Sequence, residues 1–374
     1  MTETNLNQNE EFSITIDIGT STVKAYLVKN KNINDKNDIE ILKELEERNS
    51  QYLYGKDVIS RVMYSHYNGN SKLQEAIVFQ ISSLIKRLVE NQKDISFITI
   101  TGNSVMLSIL EGFSLEGFEK FPFKSPSLFG HFSKNPLISK DLSYYLPPAI
   151  DAFLGSDSVT ATLWAFQEQK PFLLVDIGTN GEILLVEENK ITATSCAAGP
   201  AFEGKTLSRK ITGSVAVESL SKMIEGGIID RTGLILDGAN YGESTEDVKG
   251  FLNQEDVRQL QLAKAAIRAG IETLIKESQL SINKIKSCII CGNFGNALSE
   301  NALVNVGVLP KEFFGKVKYL GNGAGLGASL LSKEEKLLLS DIEKTKPDFI
   351  FVAMGQPKQE LLMIKMDKIN HAVY

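Results

Sequence analysis

The chain has 374 residues, 43% of them hydrophobic and 23% charged, and a formal net charge of −6. That length supports two domains with cores of their own, and a mildly acidic chain with no basic stripe carries no nucleic-acid footprint. No apolar run reaches the ~18–20 residues a membrane-crossing helix needs. The polar, acidic start "MTETNLNQNEEF" is not a signal peptide, so residues 1–11 are expected to be a disordered lead-in. Three cysteines, Cys196, Cys288 and Cys291, are too few for a disulfide framework and point to the cytoplasm.

Residues 12–30, "FSITIDIGTSTVKAYLVKN", predict a strand, a tight turn and a second strand, followed by a polar loop over 31–40. Residues 71–92 place Leu73, Ile77, Ile81, Leu84, Ile85 and Leu88 on one face of an amphipathic helix that Asn70 or Ser71 would cap. "ISFITITGN" (95–103) predicts a strand ending at a Gly-Asn turn. The proline-rich stretch 112–148 predicts irregular connecting structure, and a helix follows near 155–167. "PFLLVDIGTNGEILLVEENKITATSC" is a β-hairpin, and "ESLSKMIEGGIID" is a helix stopped by Gly226-Gly227. A long helix capped by Asn253 covers 253–279, with Val257, Leu260, Ile267, Ile271 and Leu274 at helical spacing. "IKSCIICGNFG" reads as strand and glycine turn, and "VKYLGNGAGLGASLL" as strand, glycine turn and helix. The C-x-x-C at Cys288 and Cys291 lies in an apolar run with no second pair, and is read as two buried thiols acting as small hydrophobes.

Strand–turn–strand units therefore open both halves, each with the tetrapeptide Asp-Ile-Gly-Thr, at Asp17 and Asp176. This is a duplicated α/β architecture, with a ligand cleft expected between the halves. In each turn, glycine lets the backbone approach a ligand, and the hydroxyls of Thr20, Ser21, Thr22 and Thr179 and the following N–H groups can hold phosphate oxygens. The strand-end aspartates can hold Mg²⁺ directly or through water. The later turns "CGNFGNAL" (291–298) and "LGNGAGLGASLL" (320–331) suit the approach of a planar base, with the Asn293 and Asn322 amides as hydrogen-bonding groups. Neither is a P-loop, and no G-x-G-x-x-G follows the first strand.

These motifs resemble those of the acetate and sugar kinase/Hsp70/actin superfamily. Its phosphate motifs fall on Asp17–Lys24 and Asp176–Glu182, and its adenosine motif on Gly292–Asn296. More specifically, "YGKDVISRV" (54–62), "ITGNSVMLSIL" (100–110), "LPPAIDAFLGSDSV" (146–159), "VDIGTNGEI" (175–183), "AAGPAFEG" (197–204) and "QLAKAAIRAGI" (261–271) resemble the ATPase domains of the reductive activators of corrinoid proteins. The resemblance implies an α/β, duplicated actin-like/Hsp70-like ATPase fold with two lobes around a nucleotide cleft. The expected segments are the lead-in 1–11, a first lobe 12–165, a second lobe 166–332 with the adenosine motif, and an extension 333–374. It implies an ATP-dependent gate that binds a Co(II) corrinoid protein, a corrinoid iron–sulfur protein or a methyltransferase corrinoid subunit, and allows its reduction to Co(I). ATP and Mg²⁺ are the implied cofactors. Asp17 and Asp176 would organise the metal. Gly19, Thr20, Ser21, Thr22, Gly178, Thr179, Asn180 and Gly181 would hold phosphates, and Gly292, Asn293, Gly295, Gly321 and Asn322 would surround the base. Glu182 and Asp157 are equal candidates for orienting the attacking water.

Three departures qualify the resemblance. Four cysteines for an iron–sulfur cluster are lacking, so no cluster is expected in this chain and a separate electron donor is implied. The segment after "AAGPAFEG" is short, with "KITGSVAVESLSKMIEGGIID" in place of the family's longer insert. Residues 341–374, around "PKQE" (357–360), resemble a fragment of the WecG/TagA glycosyltransferases, too small to fold as a transferase. A small-molecule kinase of the same superfamily and a nucleotide-gated regulator without turnover stay open as alternatives. A homodimer is left open, and no nucleic-acid or membrane partner is expected.

Overall fold

Each Asp-Ile-Gly-Thr turn joins the first two strands of a sheet in the computed structural model, which describes residues 11–30, 39–89, 95–204, 206–208, 211–230, 232–236, 252–292 and 298–331. The chain divides into two compact units. One holds the residues up to Phe166 together with those from Ala324 on, and the other runs from Gln167 to Gly323.

In the first unit β1 (Glu11–Ile18), β2 (Thr22–Asn30) and β3 (Ile39–Arg48) form an antiparallel meander. Helices α1 (Val58–Asn68) and α2 (Ser71–Leu88) carry the chain to β4 (Ile95–Gly102), which lies parallel to β1. After α3 (Ser104–Leu110) the short strands β5 (His131–Ser133) and β6 (Tyr144–Leu146) complete the order β3-β2-β1-β4-β6-β5, and α4 (Ser156–Ala165) follows. The second unit repeats the scheme. β7 (Phe172–Ile177), β8 (Gly181–Val186) and β9 (Ile191–Cys196) form the meander, and α5 (Gly213–Glu225) and α6 (Gln254–Ser278) lead to β10 (Ser287–Cys291), parallel to β7. α7 (Glu300–Val306) and β11 (Val317–Tyr319) close the sheet in the order β11-β10-β7-β8-β9, before α8 (Gly323–Ser329). Matching strand orders and matching parallel and antiparallel pairings make the two sheets duplicates of one plan. The fold is the expected duplicated α/β one.

Strand alternation sets the layers. On one face of the first sheet Ile14, Ile16, Ile18, Ile98 and Ile100 pack against Leu73, Ile77, Ile81 and Leu84 of α2 and against α3. Each such side chain taken fully from water contributes about 1.5–3 kcal/mol. The intervening residues Ser13, Thr15, Thr99 and Thr101 are also buried. They belong to the opposite face, as do Phe97 and Tyr145, which pack with Leu163 and Leu331. Gly327 of α8 lies so close to α4 that a Cβ there would fall 1.7 Å from the Thr160 carbonyl oxygen. In the second unit Leu173, Val175, Ile183 and Leu185 pack against α5 and α6 through Val217, Leu220, Leu260, Ile267 and Ile271. Among the described residues no helix is long and apolar enough to cross a membrane.

Several expectations are corrected. The loop assigned to 31–40 gives way at Ile39 to β3, whose charged sequence "IEILKELEER" conceals an edge strand. The 172–196 hairpin is a three-stranded meander. The irregular stretch 112–148 contributes β5 and β6. Asn70 stands at the α2 N-cap, but its amide donates to the Phe113 carbonyl rather than capping the helix. Asn253 caps α6 as read, in a reciprocal capping box with Asp256. Residues 341–374 lie outside the described residues.

Candidate nucleotide site

The first Asp-Ile-Gly-Thr turn spans the four residues Gly19–Thr22 between the paired positions Ile18 and Val23. A Cβ at Gly19 would lie 2.8 Å from the Thr22 carbonyl oxygen, so only glycine allows the chain to fold back so tightly. Three successive carbonyls of this turn are tied to the body of the unit. The Asn49 side chain donates to the Gly19 oxygen (2.8 Å), the Asn49 backbone N–H to the Ser21 oxygen (2.9 Å), and Arg61 Nη2 to the Thr20 oxygen (2.6 Å). In a planar trans peptide the C=O and N–H point in opposite directions. The N–H groups of Thr20, Ser21 and Thr22 therefore point away from Asn49 and Arg61.

Asp17 is half-buried at the end of β1, paired with Thr101 on one side and Lys24 on the other. Lys24 forms an ion pair with Glu46 of β3 at 3.2 Å. Thr101 hydrogen-bonds Ser156 (2.9 Å) and Thr160 (3.2 Å) of α4. Ser156 also accepts from the Gly102 N–H (3.1 Å), so the start of α4 is fastened to the end of β4. Asp157 follows in the first turn of α4, its carboxylate accepting from the Ser158 N–H (2.8 Å). Asn103 joins the two parts. A Cβ on Gly155 would come within 2.4 Å of its Cα, and its amide donates to the Thr20 hydroxyl (3.2 Å). Asp17, Thr20 and Asp157 are thus parts of one assembly.

The second turn is shorter, Gly178–Asn180 between Ile177 and Gly181. It is held by main-chain bonds. The Gly178 N–H donates to the Asn180 carbonyl (2.9 Å), and the Gly199 N–H of the "AAGPAFEG" segment donates to the Thr179 carbonyl (2.8 Å). Gly178 therefore serves the turn's own closure. Gly181 is buried, and a Cβ there would meet Cys196 Sγ at 2.8 Å, so it provides close packing. Asp176 lies between Cys291 and Glu182 in the sheet. Gly292, at φ +92°, presses on it so closely that a Cβ would fall 2.3 Å from Asp176 Oδ1. Burial pushes the Asp176 carboxyl up to about 6, against the opposing pull of a hydrogen bond from the Cys291 thiol. Burial, with the Glu182 charge adding to it, pushes the Cys196 thiol up to about 11.

The glycine turns after β10 and β11 meet. The Gly292 N–H donates to the Gly321 carbonyl (3.1 Å), and Asn322 follows at the entry to α8. Asn293 and Gly295 lie outside the described residues.

Cys288 and Cys291 are both fully buried, as read. Three residues apart on a strand, they face opposite sides: Cys288 packs with Ile290 in the core and Cys291 meets Asp176. They cannot share one metal ion. Among the described residues no group of three or more His, Cys, Asp or Glu side chains is poised around a common point. Asp17 and Asp176 each offer a carboxylate, the hard-oxygen type of donor that Mg²⁺ takes alongside waters and phosphate oxygens.

Sequence reading missed Asn49, Gln51, Arg61 and Asn103. Arg61 had a signal: with Val58 and Val62 it forms the buried stripe of α1, where a cation is out of place.

Comparison with known proteins agrees with this architecture. Residues 12–168 match the model of the RACo middle region, and residues 170–209 and 204–354 match that of the C-terminal domain of RACo, the ASKHA domain. The second match runs into the segment starting at residue 341. A corrinoid activation enzyme of Eubacterium limosum, RamQ, is 28% identical over 88% of this chain and 66% of its own length. The [Co(II) methylated amine-specific corrinoid protein] reductase of Methanosarcina barkeri is 21% identical over 92% of this chain and 75% of its own. A solved reductive activator for corrinoid, iron–sulfur protein superposes with a TM-score of 0.74 at 25% identity, covering 96% of this chain and 65% of that one. The chain thus spans about two thirds of the length of RamQ and of the solved activator. With the two models together matching nearly the whole described chain, it belongs to the RACo family, as its middle region and C-terminal ASKHA domain.

Proposed function

We propose that this chain is the ATPase part of a cytoplasmic machine that reductively activates a corrinoid protein. ATP binding and hydrolysis would drive a conformational change that lets a separate one-electron donor reduce Co(II) to Co(I). The observation that supports the reading is the first turn, where three successive carbonyls are bound by Asn49 and Arg61 and the N–H sides of the same peptides point the other way. Thr20, Ser21 and Thr22 would hold phosphate oxygens there, with Gly19 allowing the close approach. Thr179 and Asn180 would do so in the second turn. Gly292, Gly321 and Asn322 would border the base, joined by Asn293 and Gly295. Asp17 and Asp176 would hold Mg²⁺, which when bound neutralises charge on the phosphates. Glu182 and Asp157 would orient the water for attack on the γ-phosphate. Relatives named for corrinoid activation support the choice of partner.

The test is ATP hydrolysis by the purified chain with and without a Co(II) corrinoid protein and a low-potential electron donor. A severalfold rise in ATPase rate, accompanied by the Co(I) absorption band, is expected. A rate indifferent to the corrinoid protein overturns the reading.

A further inference from the structure

Arg61 is fully buried, yet every acceptor it has is neutral. Nε donates to the Gly55 carbonyl (3.1 Å), Nη1 to Gln51 Oε1 (3.1 Å) and toward Met106 Sδ (2.8 Å), and Nη2 to the Thr20 carbonyl (2.6 Å). Asp57 acts on it only through space and accepts instead from the Ser60 N–H at the α1 cap. Burial accordingly pulls the guanidinium down to about 10, with Asp57 opposing. A buried charge without a hydrogen-bonded counter-ion is costly, and a well-packed apolar replacement of similar volume is often neutral or stabilising. Something must repay the retention of a cation here. One of its partners is the Thr20 carbonyl in the middle of the first turn, and the Ser21 N–H of the same peptide points the opposite way.

Resting on the nucleotide reading above, we propose that the counter-charge of Arg61 is the phosphate chain of the bound nucleotide. Arg61 fixes the Thr20 peptide so that its N–H side faces the anion, and its positive charge acts on that anion across the peptide plane, where little water screens it. Arg61 is thus a positioning residue that touches no substrate. It is partly destabilising in the empty protein and repaid in the loaded one. Gln51, neutral and itself anchored to the Leu73 carbonyl (3.1 Å), keeps the pocket free of an internal anion that would satisfy Arg61 prematurely.

The test compares ATP affinity in the presence of Mg²⁺, by calorimetry, with thermal unfolding of the same samples with and without ATP. Arg61→Met should weaken ATP binding by about 30-fold, a size in keeping with a charged group in a weakly screened site. Its Tm without ATP should be equal to or above that of the wild type, and most of the ATP-induced rise in Tm should vanish. Arg61→Lys, which keeps the charge, should recover part of the affinity. Gln51→Glu, which supplies a carboxylate within the pocket, should weaken ATP by about 10-fold while leaving Arg61 in place, and it serves as the readout if Arg61→Met does not fold. A lower Tm for Arg61→Met with unchanged ATP affinity would mark Arg61 as merely structural and overturn the proposal, as would unchanged affinity in Gln51→Glu. Loss of ATP binding in the wild type itself overturns the nucleotide reading, a separate failure recognised before any variant is made.

Discussion

Across the first sheet, at the level of its Asp-Ile-Gly-Thr turn, runs the row Thr101, Asp17, Lys24, Glu46. Across the second, in the same topological place, runs Cys291, Asp176, Glu182, Ser195. The aspartate is common to both, and everything beside it differs. The first row sets a lysine next to its aspartate and compensates it with Glu46. The second sets a carboxylate there and a thiol on the other side. The supports differ too. Asn49, Arg61 and Asn103 hold the first turn through side chains, whereas main-chain bonds and a glycine pressed on the aspartate hold the second. On the proposed nucleotide reading, the row with a lysine beside its aspartate would grip phosphates, and the row with a second carboxylate there would act on water.

Removing what the rows share should have the largest effect. Asp17→Ala and Asp176→Ala should each lower ATP turnover by about 100-fold or more, the loss typical of a preorganised charge at a reacting centre. A variant that turns over at the wild-type rate removes its aspartate from the assignment. Glu182→Gln should lower kcat by about 10- to 100-fold with KM for ATP little changed, as befits a residue acting on the water. An effect on KM alone would make the second row a gripping one as well. Gly292→Ala meets both a positive φ and the Asp176 carboxylate, and should destabilise the protein by about 2–3 kcal/mol in urea unfolding.

A finer measurement separates the rows by pH. In the folded protein the Asp176 carboxyl titrates near 6, above its ordinary 3.8, so the folded state holds an extra proton between those values. Its contribution makes stability fall as pH rises from about 4 to about 6. Asp176→Asn should remove that component, and urea midpoints across the range should show a flatter profile than those of the wild type. The smallest effect belongs to Glu46→Gln. Glu46 is 47% exposed, so losing its pair with Lys24 should cost no more than about 1 kcal/mol.

Much of this plan was legible in the sequence, for identifiable reasons. The repeated turn, the apolar stripes of α2 and α6 and the glycine stops all have local causes, and local causes leave local patterns. β3 was not legible because an edge strand can be mostly charged, and six of its 10 residues are Lys, Arg or Glu. The grip on the first turn was hidden for another reason: Asn49 and Arg61 reach it from 30 and 41 residues away. Arg61 was visible as an anomaly on an apolar stripe, but only the folded chain shows which carbonyl it serves.

The contact of Gly327 with the Thr160 backbone also bears on the order of synthesis. α8, which packs on α4, is synthesised only after the second unit, long after β1 to α4. Until then Phe97, Tyr145 and Leu163 lack the cover of Leu331, and the first unit stays unfinished while the second is being made. A chain stalled between residues 166 and 323 would therefore present this apolar face, and the nascent protein's exposure to aggregation should be greatest over that interval.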